Sequence, residues 1–297
     1  MQTYEQALIE TAARLDTAGS DTAKLDAILL LCEVVDKSKI QIYAHPHTSL
    51  TPEQYARFEA FVARREKAEP LAYILGRKGF WELDLAVSPD VLIPRPDTET
   101  LLDVVFEMFP QGQGQGQGKG HEPPQIPQKI LELGVGSGAV VLSLLKAYPN
   151  AYGVATDISA SALECAQKNA ENLNLTGRLT FYQSHWFTEL TPEKPFDVIV
   201  SNPPYVPTGD LAHLMRDVRL YEPHQALDGG ADGLAAYRDI ITKAPQFLKS
   251  GGVLALEVGQ GQADDVAELL AQTDAFKHAQ TKADLAGIKR VVFARAQ

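Results

Sequence analysis

The chain has 297 residues, 45% of them hydrophobic and 22% charged, with a formal net charge of −11. Such a length can bury one large core or two smaller ones, and the composition is that of a globular protein rather than a disordered or fibrous one. An acidic balance repels the phosphate backbone of nucleic acid and favours a protein partner, and no apolar run approaches the ~20 residues that span a bilayer, so no direct nucleic-acid partner and no membrane association are expected. The opening MQTYEQALIE has neither the basic nor the apolar part of a secretory signal. Cys32 and Cys165 stand far apart and read as free thiols of a cytoplasmic protein.

Residues 1–78 read as a small helical bundle. Leu8, Ala12 and Leu15, then Leu25, Ile28, Leu29 and Cys32, then Tyr55, Phe58, Phe61 and Val62 recur at helical spacing. Asp21 is a candidate cap of the second helix. Thr51-Pro52 reads as an N-cap followed by proline at the first helical position. Residues 79–110 read as a β-hairpin turning at Ser88-Pro89-Asp90, then a linking helix from Thr98 to Phe109 capped by Asp97 or Thr98. The low-complexity stretch 111–128, QGQGQGQGKGHEPPQIPQ, reads as a flexible loop, because alternate glycines cannot offset their ordering entropy.

From 129 to 297 apolar strands alternate with helices. The predicted strands are 130–134, 151–157, 179–184, 196–204 and 253–258. The predicted helices are 139–148, 159–173, with Ser159 as cap, 233–248 and 262–271. Two last strands, near 275–282 and 289–295, are expected to close the sheet as a hairpin. This order implies an α/β fold with a Rossmann-like, seven-stranded, mostly parallel sheet covered on both faces.

The first chemical constellation is Glu132-Leu133-Gly134-Val135-Gly136-Ser137-Gly138, between a strand and a helix. Glycines there let the backbone turn tightly and approach a ligand. Asp157 ends the next strand, 19 positions after Gly138, where a carboxylate can bind the two hydroxyls of a ribose. The spacing is G-x-G-x-G rather than the pyrophosphate-binding G-x-G-x-x-G. It resembles the first motif of class I methyltransferases, whose ligand carries a nucleoside and an amino acid without phosphate. Ser184-His185-Trp186-Phe187 closes the third strand, where His185 and Trp186 are candidates to line an adenine pocket.

The second constellation is Ser201-Asn202-Pro203-Pro204-Tyr205, at the end of the fourth strand. Two prolines take the chain rigidly out of the sheet. The Asn202 side-chain oxygen and the Pro203 carbonyl can each accept one hydrogen bond from a planar –NH₂, and Tyr205 can stack on it. A conjugated nitrogen, held so, is directed at an electrophilic methyl. No metal is needed for that chemistry.

Together with EPLAYILG, LIPRPDTE and VRLYEPHQALDGG, these motifs resemble the release-factor glutamine methyltransferases, the HemK or PrmC family. NPPY alone is shared with adenine-N6 methyltransferases, and a ribosomal-protein glutamine methyltransferase is the nearer alternative. The resemblance implies N5-methylation of the glutamine in the Gly-Gly-Gln motif of class 1 peptide-chain release factors. S-adenosyl-L-methionine would be the donor and S-adenosyl-L-homocysteine the product. It further implies that Gly134 to Gly138, Asp157, His185, Trp186 and Asn202 hold the donor, that Asn202, Pro203, Pro204 and Tyr205 bind the glutamine, and that Arg95 lines the entrance or pairs with Glu99. Residues 1–78 would recognise the protein substrate.

Overall fold

The computed structural model describes residues 2–110, 126–192 and 195–297. The expected glutamine- and glycine-rich loop lies outside them, apart from its last three residues. Two compact units emerge: Met1–Arg77 with Leu214–Tyr221, and Lys78–His213 with Glu222–Gln297.

The first unit contains α1 (Tyr4–Thr17), α2 (Ala23–Val35), α3 (Lys39–Ala44), α4 (Pro52–Arg65) and α5 (Leu71–Leu75). Capping boxes start three of them, pairing Thr3 with Gln6, Ser38 with Gln41 and Thr51 with Gln54. Each satisfies two backbone N–H groups that the helix itself leaves unmatched. Leu15, Leu30, Leu31, Phe58 and Val62 form the centre of the core. Asp21 does not cap α2. Thr22 holds that position without a side-chain capping bond, because its hydroxyl donates instead to Asp26 at 2.9 Å. Asp26 is buried and pairs with Arg65 at 2.7 Å.

The second unit opens with a hairpin, β1 (Arg77–Phe80) and β2 (Leu83–Ala86), turning at Trp81-Glu82 rather than at Ser88-Pro89-Asp90. Trp81 takes a left-handed φ of 48°. Glu99 accepts its N–H at 2.8 Å, and its ring packs on Phe106 at 5.7 Å. Tertiary contacts thus hold a turn whose own residues would not select it. Ser88 instead makes a small turn beyond β2, bonded to Asp90 at 3.0 Å.

Helix α6 (Glu99–Met108) follows a 3-10 turn over Pro96–Thr98. Neither Asp97 nor Thr98 caps it: Thr98 makes no capping bond, and Asp97 pairs with Arg290 at 2.8 Å.

Then come β3 (Lys129–Leu133), α7 (Ala139–Ala147), β4 (Tyr152–Asp157), α8 (Ala160–Asn172), β5 (Leu179–Gln183), β6 (Phe196–Ser201), α9 (Arg216–Tyr221, in the first unit), α10 (Ala235–Lys243), β7 (Leu248–Glu257), α11 (Ala263–Ala271), β8 (Gln280–Ala283) and β9 (Lys289–Arg295). Helix α10 ends five residues earlier than the predicted 248 and β7 begins five earlier than the predicted 253, because a 3-10 turn, Ala244–Gln246, intervenes.

The sheet has seven strands in the order β5-β4-β3-β6-β7-β9-β8. All pair in parallel except β9, which is antiparallel to β7 and β8. Successive side chains of β3 serve opposite faces: Ile130 joins the core beneath α6 and α7, while Leu131 joins the one beneath α10 and α11. Strand order reverses at β3 and β6, so the carboxyl ends of β3, β4 and β6 open on one crevice.

Asn169 ties this architecture together from α8. Its Nδ2 donates to the Ala86 and Ser137 carbonyls, each at 2.9 Å, and its Oδ1 accepts the Ala86 N–H at 2.7 Å. Replacing Asn169 with alanine removes all three bonds, leaving the Ala86 carbonyl only the weak bond from Cys165 Sγ at 3.3 Å, and the expected loss of stability in denaturant unfolding is about 3 kcal/mol.

Candidate active site

The glycine loop leaves β3 by curling back on β4. Gly134 and Val135 donate to the Thr156 carbonyl at 2.8 and 3.0 Å, and Gly138 to the Val135 carbonyl at 2.8 Å. Gly134, Gly136 and Gly138 take φ of +72°, +52° and +84°, a region that side chains resist. A Cβ at Gly138 would lie 2.8 Å from Leu142, whereas one at Gly136 would meet nothing within 4 Å. Gly138 is therefore demanded by packing on α7. Gly136 borders the open crevice, where a side chain would fill ligand space.

Asp157 joins this loop to the start of α8. Its Oδ2 accepts the Gly136 N–H and its Oδ1 the Ser159 N–H, each at 3.0 Å. Burial raises its pKa, against the pull of those backbone bonds. One lone pair on each oxygen remains for a ligand's hydroxyls.

Glu132 opens the first constellation but was given no role of its own from the sequence, although a carboxylate inside the apolar run ILELG is itself a signal. It is 3% exposed and accepts the Val141 N–H in the first turn of α7 at 2.8 Å. Burial pushes its pKa up to about 8; the Val141 bond opposes the rise and the charge of Asp157 adds to it.

The segment after β5 forms the adjoining wall. Trp186 adopts a left-handed φ of 53°, with its carbonyl bonded by the Ser184 hydroxyl at 3.2 Å. Its ring lies 3.5 Å from where a Cβ on Gly134 would stand, and the His185 ring sits 5.5 Å from it. Both residues line the crevice with Gly134, Gly136, Asp157 and Asn202.

The NPPY corner is anchored at its first step. Ser201 is the last partner of Leu133 in the sheet, and its hydroxyl donates to the Leu133 carbonyl at 2.8 Å. From there the extended chain alternates: Asn202 and Pro204 line the crevice, while Pro203 and Tyr205 do not. Tyr205 instead joins the core beneath α10 and α11, and burial pushes its pKa up to about 12. Its carbonyl accepts from Gln262 Nε2 at 2.9 Å, whose Oε1 accepts the Gly259 N–H at 3.0 Å. Asn202 Nδ2 donates to the Thr98 hydroxyl at 3.3 Å.

Arg95 lines the same crevice. Its partner is Glu222, buried and also accepting the Ile93 N–H at 3.3 Å. The alternative partner, Glu99, is engaged by Trp81. Glu222, Glu257 and Gln262 are supporting residues that the sequence reading did not single out, and Thr98 was read only as a helix cap.

Curated relatives match this chain from end to end. The release factor glutamine methyltransferase of Bradyrhizobium diazoefficiens is 41% identical over 99% of this chain and 95% of its own length. That of Rhodospirillum rubrum is 42% identical over 96% and 82%. The chain belongs to the release factor glutamine methyltransferase family. The PrmC N-terminal domain matches residues 6–76, and the methyltransferase small domain residues 121–218. Among solved structures, the hMettl16 catalytic domain in complex with the MAT2A 3'UTR hairpin 6 superposes with a TM-score of 0.56 at 17% identity, covering 79% of this chain and 81% of that one. This likeness shows the fold. Membership of the release factor glutamine methyltransferase family makes the chain an enzyme and implies S-adenosylmethionine as methyl donor. No helix among the described residues is long and apolar enough to cross a membrane.

The Glu132 pKa gives this release factor glutamine methyltransferase a pH signature. The folded protein holds a proton from the ordinary 4.5 up to about 8 that the unfolded chain releases, so stability falls as pH rises through that window. In Glu132→Gln the melting temperature is expected to lose this group's share of the decline across that whole window, as read by calorimetry across a pH series.

Proposed function

We propose that the protein transfers a methyl group to the side-chain N5 of the glutamine in the Gly-Gly-Gln motif of class 1 peptide-chain release factors. The carrying observation is that Asn202 of the proline corner and the glycine loop with Asp157 line one crevice. The curated relatives are named for the same substrate.

S-adenosylmethionine supplies an electrophilic methyl on a sulfonium. Gly134 to Gly138 offer it backbone that approaches closely, with Val135 and Ser137 between the glycines and also lining the crevice. Asp157 has the lone pairs to take its ribose hydroxyls. His185 and Trp186 offer the adenine an aromatic wall, with their rings inclined at 51° to each other. S-adenosylhomocysteine is the product.

Toward the acceptor, Asn202 Oδ1 receives one N–H of the glutamine amide, and the other is assigned to the carbonyl of Pro203, the residue between the two that line the crevice. Pro204 contributes the rigid edge between them and the crevice, Tyr205 fixes the corner through its packing and its bond to Gln262, and Arg95, held by Glu222, borders the entrance. The amide nitrogen is a weak nucleophile because its lone pair is delocalised. Holding it in line with the methyl needs no strong base, since the nitrogen becomes acidic as the new C–N bond forms and its proton then passes to water. Orientation of this kind supplies up to ~7–11 kcal/mol of barrier reduction. The N-terminal helical unit is assigned to recognising the release-factor protein, supported by its separate match to the PrmC N-terminal domain. A substrate that works in translation makes the protein cytoplasmic in this reading.

Incubation with methyl-labelled donor and purified release factor is expected to label the Gly-Gly-Gln glutamine, located by peptide mass spectrometry. Label on a ribosomal protein or a nucleic acid instead would reject the assignment. Asn202→Ala is expected to lower kcat by about 10²-fold, the loss seen on removing one aligned polar group from a reaction centre, while circular dichroism and melting temperature stay as in the wild type.

A further inference from the structure

Two prolines stiffen the acceptor corner without fastening it. Each fixes its own φ and steers the residue before it into extended backbone, so Asn202 and Pro203 keep little freedom. Neither Pro203 nor Pro204 has an N–H with which to tie the corner to a neighbour. Ser201 anchors the upstream end on Leu133. Downstream, the first free rotations are ψ of Pro204 and both torsions of Tyr205. Unless Tyr205 is held, the stiff segment can swing about Ser201 as a unit, and the Pro203 carbonyl swings with it.

One side chain supplies that second anchor. Gln262 stands at the cap position of α11 but makes no capping bond. Its amide turns to the corner instead. Nε2 donates to the Tyr205 carbonyl at 2.9 Å and to the Gly233 carbonyl at 3.4 Å, and Oε1 accepts the Gly259 N–H at 3.0 Å. All three partners are backbone groups, whose donor or acceptor sense is fixed. A rotated amide would set its oxygen against two carbonyls and its NH₂ against an N–H, so only this orientation fits.

The chain around Tyr205 is packed to match. A Cβ on Gly229 would stand 2.8 Å from Tyr205 Cα, one on Gly259 would stand 3.0 Å from its ring, and one on Gly233 would collide with its carbonyl oxygen. One residue further, Val206 donates to the Leu227 carbonyl at 2.9 Å and accepts the Gly229 N–H at 2.8 Å. Leu227 directly follows Ala226, which lines the crevice. Gln262 thereby joins the carboxyl ends of β6 and β7 to the loop that returns to the crevice wall.

We propose that Gln262 is a positioning residue for methyl transfer: by clamping the Tyr205 carbonyl it fixes where the Asn202 and Pro203 oxygens stand, on the reading of those oxygens as acceptors of the glutamine N–H groups. Gln262 does not itself line the crevice, so it acts through the corner alone. The oxygens aim the amide nitrogen at the methyl, and a misplacement of about 1 Å in such an arrangement can cost about 10²-fold in rate.

The test compares wild type, Gln262→Met and Gln262→Glu, with methyl-labelled donor and a release factor as acceptor. Methionine keeps the length of the side chain and loses both polar ends. Glutamate keeps an oxygen for the Gly259 N–H, but it has a proton for the Tyr205 carbonyl only when it is not ionised. Gln262→Met is expected to lose at least about tenfold in kcat at every pH, with its Kd for the donor within about twofold of wild type by calorimetry. Gln262→Glu is expected to match that loss near pH 8 and to recover part of it as pH falls toward about 5, where its carboxyl gains a proton; packing alone gives no such recovery. A Gln262→Met rate within about twofold of wild type, donor binding weakened as much as kcat, or a Gln262→Glu loss that does not change with pH overturns the proposal. Amide hydrogen exchange needs no turnover. In Gln262→Met, Val206 and Gly229 should exchange at least about tenfold faster than in wild type, while Gly134 and Val135, bonded to the Thr156 carbonyl, keep their rates. Equal acceleration at both places, or none at Val206 and Gly229, also overturns it. Wild-type enzyme that methylates no release factor would reject the function reading instead, and the exchange rates would still decide the clamp.

Discussion

The site depends on one pairing in the sheet. Leu133 and Ser201 are opposite each other at the carboxyl ends of β3 and β6, and the Ser201 hydroxyl closes on the Leu133 carbonyl. The next residue on one strand is Gly134 and on the other Asn202. Two segments of unlike chemistry, the glycine loop and the proline corner, thereby begin as neighbours. A slip of one residue would reverse every side chain of β6, sending Val200 and Ile199 to the wrong cores and Asn202 away from the crevice.

Around that pairing the protein invests in buried acids. Glu132 fastens the start of α7, Asp157 fastens the glycine loop to α8, and Glu222 holds Arg95. Each is removed from water, which costs free energy unless its oxygens are matched. What this arrangement gives in return is geometry: helix starts and loop amides held by directional bonds to carboxyl oxygens. A crevice walled only by apolar contacts would tolerate small displacements that a methyl transfer does not.

The parts of this site that were legible in the sequence are those whose function is carried by local chain shape. Glycines at alternate positions, a carboxylate at the end of the following strand and a pair of prolines leaving another strand all announce themselves within a few residues. The alternation of apolar strands and helices likewise revealed a covered, mostly parallel sheet. The supporting residues were hidden because their partners lie far along the chain. Arg95 suggested Glu99, one helical turn away, and found Glu222, 127 positions distant. Thr98 stands where a helix cap belongs and its hydroxyl instead accepts from Asn202, 104 positions distant. The hairpin turn was misplaced because Trp81 is held in its left-handed conformation by Glu99 and Phe106, neither of which a local reading of turn residues consults.

Residues Leu214–Tyr221 lie in the middle of the sheet-forming sequence yet belong to the helical unit, where the Tyr221 hydroxyl bonds the Lys67 carbonyl at 3.1 Å. The backbone consequently passes between the units at three places rather than one. A single cut after Arg77 would not yield two self-sufficient halves, since α9 would be stranded without the helices that complete it. Nor could the N-terminal helices be exchanged for those of another protein by one recombination event. Whatever shapes the helical unit over evolution must also accommodate a short stretch encoded some 140 residues downstream, so the two parts are inherited as one piece.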